Sequence, residues 1–222
     1  MSTTSDQTKV YFEKRIETLN DPDRYKTCLL SHKTIIRFLR HHGFKKQSGK
    51  YLDIGCGDGV LCKVFKDHGW DAHGLDISDG INFETDTIPF EDNSIALITL
   101  YGVIEHISNP HMLITEIYRL LENGGACVMI TPNIKSEGLS FYDDPDHRKP
   151  YSPRGLSWLM RMYGFNSNKI GLWTVRKPTA LWSLSIDLQF MIGKLIPFYG
   201  RNQNVPNFLK GRSKTMIGSF IK

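Results

Sequence analysis

The spacing of hydrophobic residues changes near residue 50 and divides the chain into two patterns. Apolar residues recur at helical intervals over 10–42, as at Leu29, Ile35 and Leu39, which predicts one or two N-terminal helices. A polar, turn-rich stretch follows over 43–50. Beyond it, short apolar runs alternate with helix-like stretches, and this alternation is typical of an α/β fold with a parallel sheet.

The apolar runs in the second part of the chain predict seven strands. These strands are 50–54, 71–75, 81–84, 95–100, 126–131, 168–176 and 214–222, with helices at about 59–68, 110–121 and 153–163. Because strands and helices alternate, we expect a doubly wound, mostly parallel seven-stranded sheet. Apolar residues at three- and four-residue spacing within 178–205 add an amphipathic helix between the last two strands.

This pattern suggests an N-terminal helical cap over 1–48 and a main domain over 49–222, in which 178–213 forms a helical insert. The length of 222 residues and the 40% hydrophobic content suit one compact domain without a second independent unit. Residues 179–198 are long enough to cross a membrane, but Asp187, Gln189 and Lys194 interrupt them, so we expect no spanning helix. This segment could pack across the sheet edge or against the N-terminal helices, or it could form a lid or an interfacial helix for a bulky or lipid-linked acceptor.

Charge and cysteine content narrow the class of protein only slightly. The net charge of +5 is spread along the chain rather than gathered into a basic stripe, so we expect no nucleic-acid partner. The four cysteines, Cys28, Cys56, Cys62 and Cys127, show no metal-binding or CxxC spacing. Together with the absence of a signal-peptide pattern, this favours a reducing, cytoplasmic location with Cys56 and Cys62 as packing residues.

A glycine-rich loop supplies the first candidate chemistry. The strand that ends in Ile54 runs into GCGDG over 55–59 and then into a helix, which places the loop at the ligand-binding edge of an α/β sheet. Asp76 follows the second strand about 20 residues later, where a carboxylate can accept hydrogen bonds from both ribose hydroxyls. The loop and this acid together predict a nucleoside site, although a tight turn and a helix cap could also explain them.

The residues around the loop argue against a nicotinamide dinucleotide. Dinucleotide sites use GxGxxG, and here Val60 occupies the third glycine position. Asp53 lies just before the loop, where it would repel a pyrophosphate but suits a ligand with an amino group and a sulfonium. A nicotinamide-dependent oxidoreductase therefore stays the less favoured alternative.

Five segments in order resemble class I S-adenosylmethionine-dependent methyltransferases, in the group of ubiquinone-type and glycan-modifying small-molecule enzymes. They are YLDIGCGDGV (51–60), GLDIS (74–78), TDTIPFEDNSIALITLYGVIEHISNP (85–110), LLENGGACVMITPN (120–133) and HRKPYSPRGLSWLMRMYGF (147–165). The resemblance implies a Rossmann-like sheet and S-adenosyl-L-methionine as cofactor. It further implies that the amino acid end of the cofactor is held by Asp53, Gly55, Cys56 and Gly57.

The same resemblance assigns the rest of the cofactor site. Asp76 and Ile77 would hold the ribose and adenine, and Glu84 and Thr85 would contact the adenine. Tyr101 would border the methionine part. The sequence departs from this group between Asp76 and Glu84, where only a short segment replaces the usual helix.

The candidate catalytic residues lie in two segments that follow strands. His106 follows the fourth predicted strand and could act as a base for a hydroxyl acceptor, or could simply order the loop together with Glu105. In the loop over 142–151, His147 is a second possible base and Tyr151 could bind the acceptor, unless the loop is an ordinary solvated one. Arg148 could pair with an anionic group of the acceptor.

A metal site in the same loop is less favoured. Asp143, Asp144, Asp146 and His147 are possible ligands, but they crowd into a short stretch where neighbouring side chains cannot all point inward. We therefore predict no metal.

We expect methyl transfer to a small-molecule acceptor, with an oxygen of a sugar or glycan precursor favoured by resemblance alone. A lipid-linked acceptor with peripheral membrane contact is possible, and the chain is expected to be a monomer or a homodimer. A non-catalytic cofactor-binding module of the same fold is a further alternative.

Overall fold

The computed structural model describes residues 23–173, 182–195 and 214–222 and contains the predicted alternation of helices and strands. The first half consists of α1 (Arg24–His41), β1 (Gly49–Ile54), α2 (Val60–Asp67), β2 (Trp70–Leu75), β3 (Ile95–Tyr101) and α3 (His111–Leu120). The second half consists of β4 (Leu121–Pro132), α4 (Ile134–Glu137), α5 (Pro153–Met162), β5 (Ser167–Leu172), α6 (Ile186–Leu195) and β6 (Thr215–Ile221). Short 3₁₀ turns cover 77–79, 104–106 and 138–143.

The strands form one sheet in the order β2-β1-β3-β4-β6-β5. Strands β1 to β4 pair in parallel, and β6 runs antiparallel to both of its neighbours, so β5 points the same way as β1 to β4. The prediction of a mostly parallel α/β sheet is therefore confirmed. This arrangement brings the carboxyl ends of five strands to one edge, where α/β proteins bind ligands.

The predicted strand at 81–84 is wrong, and the described sheet has six strands instead of seven. The chain makes a turn there because short polar side chains bond the local backbone. The Asn82 Oδ1 accepts from the Glu84 N–H at 2.9 Å, and an Asp86 oxygen accepts from the Asn82 N–H at 2.9 Å. Phe83 is buried against the core, which explains why the segment has an apolar pattern without pairing in the sheet.

The remaining differences concern the bounds of the strands. Strand β4 begins at Leu121, five residues before its predicted start at 126. Strand β5 ends at Leu172, and the predicted continuation over 174–176 lies outside the described residues.

Alternation along the strands builds a core layer on each face of the sheet. One face carries Leu52, Ile54, Ile98, Leu100, Met129 and Phe220 against α3 and α5. The opposite face carries Tyr51, Leu97, Val128, Ile130 and Ile217 against α1 and α2. Helices on both faces are what a doubly wound sheet requires.

Helices α1 and α6 represent the predicted N-terminal helices and the predicted insert. Ile35, Phe38 and Leu39 of α1 are fully buried in the same layer as Tyr51. On α6 the buried Gln189 accepts a hydrogen bond from the Leu172 N–H at 3.1 Å, which fixes the helix beyond the carboxyl end of β5. Residues 1–22 and 196–213, which include parts of both predictions, lie outside the described residues, and the division into a cap and a main domain stays a prediction.

Among the described helices, none combines the length and the apolar character that a membrane span requires.

Candidate cofactor and acceptor site

The glycine loop joins β1 to α2 with three residues in the left-handed backbone region. Gly55, Gly57 and Gly59 have φ angles of 75°, 53° and 69°, which strain any residue with a side chain. A Cβ at Gly55 would overlap Val103, whereas no atom lies within 4 Å of the Cβ position at Gly57 or Gly59. The loop is therefore packed on one side and open on the other, as close approach of a ligand requires.

Asp76 lies directly beside this open loop. One carboxylate oxygen accepts a hydrogen bond from the Gly57 N–H at 3.0 Å, and the other accepts from the Ser78 N–H at 3.4 Å. The Asp76 N–H in turn donates to Asp79 at 2.8 Å, which holds the turn after β2. Asp76 and Ile77 are half-buried, so both still face solvent. A carboxylate so placed can accept hydrogen bonds from ribose hydroxyls, as the sequence predicts.

Asp53 lies beneath the loop rather than on its surface. It is 3% exposed and accepts a hydrogen bond from the Thr99 hydroxyl at 2.5 Å, and Thr99 in turn contacts the Tyr51 hydroxyl at 2.6 Å. Burial is the main cause that raises the pKa of Asp53 to about 7, and the charges of Asp76 and Asp58 contribute in the same direction. A cationic ligand would relieve this cluster of carboxylates, whereas a diphosphate would add to the repulsion.

The two cysteines of this region pack against β2. A Cβ at Gly74 would come within 2.7 Å of the Cys56 Sγ and 3.0 Å of the Cys62 Sγ, so glycine makes room for both thiols. Both cysteines are free, in agreement with the packing role predicted for them. Cys56 thus helps to fix the loop on the sheet, and its N–H also donates to the Leu75 carbonyl oxygen at 3.1 Å.

The opposite side of the loop is bounded by Tyr101 and by a residue that the sequence did not reveal. Tyr101 ends β3, is 44% exposed and meets the ring of Trp173 edge-on at 5.7 Å. Arg24, at the start of α1, donates from Nε to Asp58 of the loop at 2.7 Å. This hydrogen bond is the main cause of the raised pKa of Arg24. Arg24 is distant from the loop in sequence, so no local pattern could assign it to the site.

Glu84 and Thr85, the predicted adenine contacts, have partners of their own. The Glu84 carboxylate accepts from the Ser108 N–H at 3.1 Å and the Asn109 N–H at 2.9 Å, and the Thr85 hydroxyl donates to Asp86 at 2.8 Å. Glu84 therefore connects its turn to the start of α3. Contact of these two residues with adenine stays a prediction.

The two candidate bases, His106 and His147, come together after β3 and β4. Their ring centroids are 4.9 Å apart. The His147 Nδ1 lies 2.6 Å from the Phe141 carbonyl oxygen, and the His106 Nδ1 lies 3.1 Å from the Asp146 carbonyl oxygen. Because a carbonyl oxygen only accepts, both neutral rings carry the proton on Nδ1 and present a basic Nε2. Burial lowers the pKa of His106, which favours the neutral form needed of a base.

Glu105 completes this cluster. Unlike the two histidines, Glu105 was not predicted from the sequence to be a reacting group. It is 3% exposed, accepts from the Thr131 hydroxyl at 2.9 Å, and has a backbone oxygen that accepts from the Arg148 and Lys149 N–H groups. The loop over 142–151 is therefore tied to the sheet and is not a freely solvated segment. The position next to His106 was the signal that could have identified Glu105.

Ligand atoms of Glu105, His106 and His147 all lie within 4.8 Å of one another. A carboxylate with two imidazoles is a donor set that divalent transition metals accept, although the sequence predicts no metal. Of the metal ligands weighed from sequence, this cluster shares only His147. Asp146 instead donates its backbone N–H to the Asp144 carboxylate at 3.1 Å, as in a turn.

Tyr151 lies beside this cluster but deeper than expected. It is 5% exposed and forms an isolated β-bridge with Asn133. Its hydroxyl has no hydrogen-bond partner among the described residues, and burial together with the Glu105 charge raises its pKa. The raised pKa keeps this hydroxyl protonated, so its donor is without a partner among the described residues.

Taken together, the sheet order, the open glycine loop and Asp76 define a Rossmann-like nucleoside-binding protein. Comparison with known families narrows this class, because the family model described as "Methyltransferase domain" matches residues 23–169. The chain belongs to this methyltransferase domain family, which confirms the resemblance found in the sequence.

Curated relatives and solved structures agree with this family. The Ubiquinone biosynthesis O-methyltransferase of Pseudomonas fluorescens is 23% identical over 66% of this chain and 78% of that protein. Its counterpart in Maricaulis maris is 24% identical over 41% of this chain and 43% of that protein, so the chain spans less than half the length of this second relative. A SAM-dependent methyltransferase from Archaeoglobus fulgidus shares the fold, with a TM-score of 0.55, 20% identity and coverage of 85% of this chain and 94% of that one.

Proposed function

We propose that this chain is an enzyme that transfers a methyl group from S-adenosylmethionine to a hydroxyl oxygen of a small molecule. The proposal is carried by the open face of the glycine loop beside the Asp76 carboxylate, in a chain of the methyltransferase domain family. When bound, the cofactor supplies a methyl group already activated by the positive sulfonium, so the protein mainly aligns the acceptor. The names of the relatives from Pseudomonas fluorescens and Maricaulis maris support oxygen as the methylated atom.

The cofactor is held by the residues around the loop. Asp76 binds the ribose hydroxyls and Ile77 covers the adenine, while Gly55, Cys56 and Gly57 lie against the amino acid end. The ammonium group of the cofactor would favour the ionised form of the buried Asp53 beneath that end, whose pKa is otherwise raised to about 7. Support for these roles comes from the carboxylates gathered at the loop, which favour a cationic ligand.

Arg24 contributes the opposite charge at the same place. A guanidinium has five N–H donors, and Arg24 directs two nitrogens at Asp58, at 2.7 and 3.4 Å. The remaining donors are available to the carboxylate of the cofactor, next to Tyr101. Helix α1 would thereby help to close the site over the methionine part.

The histidine pair removes the proton from the acceptor hydroxyl. Neutral His106 or His147 accepts this proton at Nε2, since both Nδ1 atoms face carbonyl oxygens. The Asp146 carboxylate, 3.4 Å from the His106 Nδ1, stabilises the positive imidazolium that results. Tyr151 donates a hydrogen bond from its buried hydroxyl to the acceptor, and this role would account for a hydroxyl without a partner among the described residues.

The acceptor belongs to the class of small hydroxyl compounds. A sugar or glycan precursor was expected from resemblance, and it stays a prediction beside the phenol-type acceptors that the ubiquinone-related names suggest. Arg148, exposed at the rim and 3.4 Å from the Ser108 hydroxyl, could pair with an anionic group on either kind of acceptor.

Calorimetry with S-adenosylhomocysteine and with NAD⁺, followed by radiolabelled methyl transfer to panels of phenols and sugars, tests the proposal. We expect micromolar-range binding of S-adenosylhomocysteine, no comparable binding of NAD⁺, and transfer that falls sharply in a His106→Ala, His147→Ala double variant. Tight NAD⁺ binding without S-adenosylhomocysteine binding would favour the oxidoreductase instead. Cofactor binding without transfer to any acceptor would favour the non-catalytic module.

A chelator added to the transfer assay separates the two readings of the histidine cluster. If a histidine acts as the base, the enzyme keeps its activity after dialysis against EDTA. If activity is lost and returns only when a divalent metal is added, the cluster is a metal site.

A further inference from the structure

A cavity of about 200 Å³ opens between α4, which follows the carboxyl end of β4, the start of α5 and α6. Its volume corresponds to about seven water molecules, enough for a small organic group. Ile186, Phe190 and Met191 form an apolar wall, and Lys135, Arg154 and Asp187 form the charged part. The cavity is therefore amphipathic, with hydrocarbon on one side and charge on the other.

The charged part of this cavity is positive on balance. Arg154 lies 3.4 Å from Asp187, but the two side chains are 79% and 68% exposed, so their pairing is weak. Lys135 forms no ion pair within the described part of the chain. Pro153 also begins helix α5 at the cavity wall, and a helix N-terminus adds partial positive charge. An anionic group would thus be attracted to the rim.

The position of the cavity connects it to the proposed acceptor site. Asn133 and Tyr151 form a β-bridge, and the Ile134 N–H donates to the Tyr151 carbonyl at 3.0 Å. Lys135 and Ser136 follow one side of this bridge, and Pro153 follows the other. On the catalytic side, Thr131 of the same strand holds Glu105. The segments that meet at this bridge therefore contribute residues both to the cavity and to the surroundings of the histidine cluster.

We propose that this cavity binds the distal part of the acceptor, an organic anion in which a phosphate or carboxylate is joined to a hydrocarbon portion. Lys135 and Arg154 bind the anionic group, and the hydrocarbon packs against Phe190 and its apolar neighbours. The proposal rests on the proposed function, since it assigns the cavity to the acceptor. It excludes a fully neutral, unsubstituted sugar as the preferred acceptor.

Small-molecule probes test the cavity without any methyl transfer. Binding of hexyl phosphate, hexanoate, hexanol and inorganic phosphate is measured by calorimetry and ligand-observed NMR on the full chain. We expect hexyl phosphate or hexanoate to bind at least about tenfold more tightly than hexanol or inorganic phosphate. Only the first two probes carry both an anionic group for the charged part of the cavity and a hydrocarbon chain for its apolar wall. The stronger of the two anions then indicates whether the acceptor is a phosphate ester or a carboxylate.

Charge-removing variants locate the binding. A Lys135→Gln, Arg154→Gln double variant should weaken the favoured probe by about tenfold, while Arg161→Gln, exposed on the same helix away from the cavity, should change it little. Equal binding by the double variant would overturn the proposal, as would hexanol binding as tightly as the anions. An equal loss of probe binding in Arg161→Gln would overturn the proposal too, because the loss would then follow from the lower net charge of the protein and not from the cavity.

Titration with S-adenosylhomocysteine keeps this result separate from the proposed function. The double variant should bind S-adenosylhomocysteine as the unsubstituted protein does, since neither residue lies near the glycine loop. Loss of S-adenosylhomocysteine binding in every form would refute the methyltransferase proposal, whereas the probe titrations would still report on the cavity.

Discussion

Replacing Asp76 removes the carboxylate that contacts the glycine loop and is proposed to bind the ribose. Its carboxylate accepts from the Gly57 N–H at 3.0 Å and from the Ser78 N–H at 3.4 Å, and spare lone pairs remain for a ligand. Asp76→Ala removes every one of these acceptors. Asp76→Asn keeps the shape and one acceptor oxygen but removes the negative charge.

The expected loss follows from the strength of a hydrogen bond to a charged group. Such a bond contributes about 1.5–3 kcal/mol, which corresponds to a weakening of cofactor binding by about 10- to 150-fold for Asp76→Ala. Asp76→Asn retains a neutral hydrogen bond, so its loss should be smaller, at about 1 kcal/mol or roughly fivefold. The difference in cofactor affinity between the two variants therefore separates the effect of the negative charge from the effect of the lost hydrogen bonds.

Calorimetry with S-adenosylhomocysteine measures both affinities, and thermal melting without ligand reports separately on the loss of the two backbone contacts. Asp71→Asn is the matched control, since Asp71 lies on β2, the strand that precedes Asp76, with its side chain 65% exposed. A folded Asp76→Ala variant that binds within about threefold of the unsubstituted protein would refute the assignment of the ribose site. A similar loss in Asp71→Asn would show a general effect of charge.

Three further predictions test the loop and two buried titratable groups. Gly57→Ala should fold with about 1–2 kcal/mol of left-handed strain and bind S-adenosylhomocysteine weakly, whereas Gly55→Ala, whose Cβ would overlap Val103, should melt at a clearly lower temperature. Asp53 has a native pKa of about 7 against 3.8 when unfolded, so its ionised form destabilises the native state above pH 7. Asp53→Asn should therefore resist urea better than the unsubstituted protein at pH 8 but not at pH 4, and should bind the cofactor more weakly; a lower urea midpoint at pH 8 would contradict the raised pKa. His32 is buried without a hydrogen-bond partner among the described residues, and burial lowers its pKa to about 4 from 6.5. The free energy of unfolding therefore falls as the pH drops from 6.5 to 4, and this group contributes at most about 1.4 kcal/mol per pH unit. His32→Phe should flatten that slope in urea titrations at pH 5 and 7, and an unchanged slope would show that other groups cause it.

The elements that sequence patterns predicted well are those with local signals. The glycine loop follows a buried strand and precedes a helix, and each of these features is visible within about ten residues of Gly57. The segment with Ile81 and Phe83 shows the limit of the same reasoning. Its alternating apolar residues are typical of a strand. The Asn82 side chain, however, accepts a hydrogen bond from the Glu84 N–H, and this contact stabilises a turn instead.

The parts of the site that sequence did not reveal depend on contacts between distant residues. His106 and His147 were each predicted as candidates, yet only the adjacency of β3 and β4 brings their rings to 4.9 Å. Arg24 reaches Asp58 across the packing of α1 on α2, which no spacing in the sequence encodes. Glu105 was visible as a neighbour of His106, but its burial against Thr131 required the three-dimensional structure.

Strand β6 determines how the β5 end of the sheet is held to the rest of the protein. Among the described strands, β5 pairs only with β6, from Ser167 opposite Ile221 to Leu172 opposite Met216, while β6 also pairs with β4 along its whole length. Loss of β6 would therefore detach β5 and leave Gln189 of α6 without its Leu172 partner. These elements form one unit that is held together by pairing with a strand far along the chain, so this end of the sheet depends on non-local contacts.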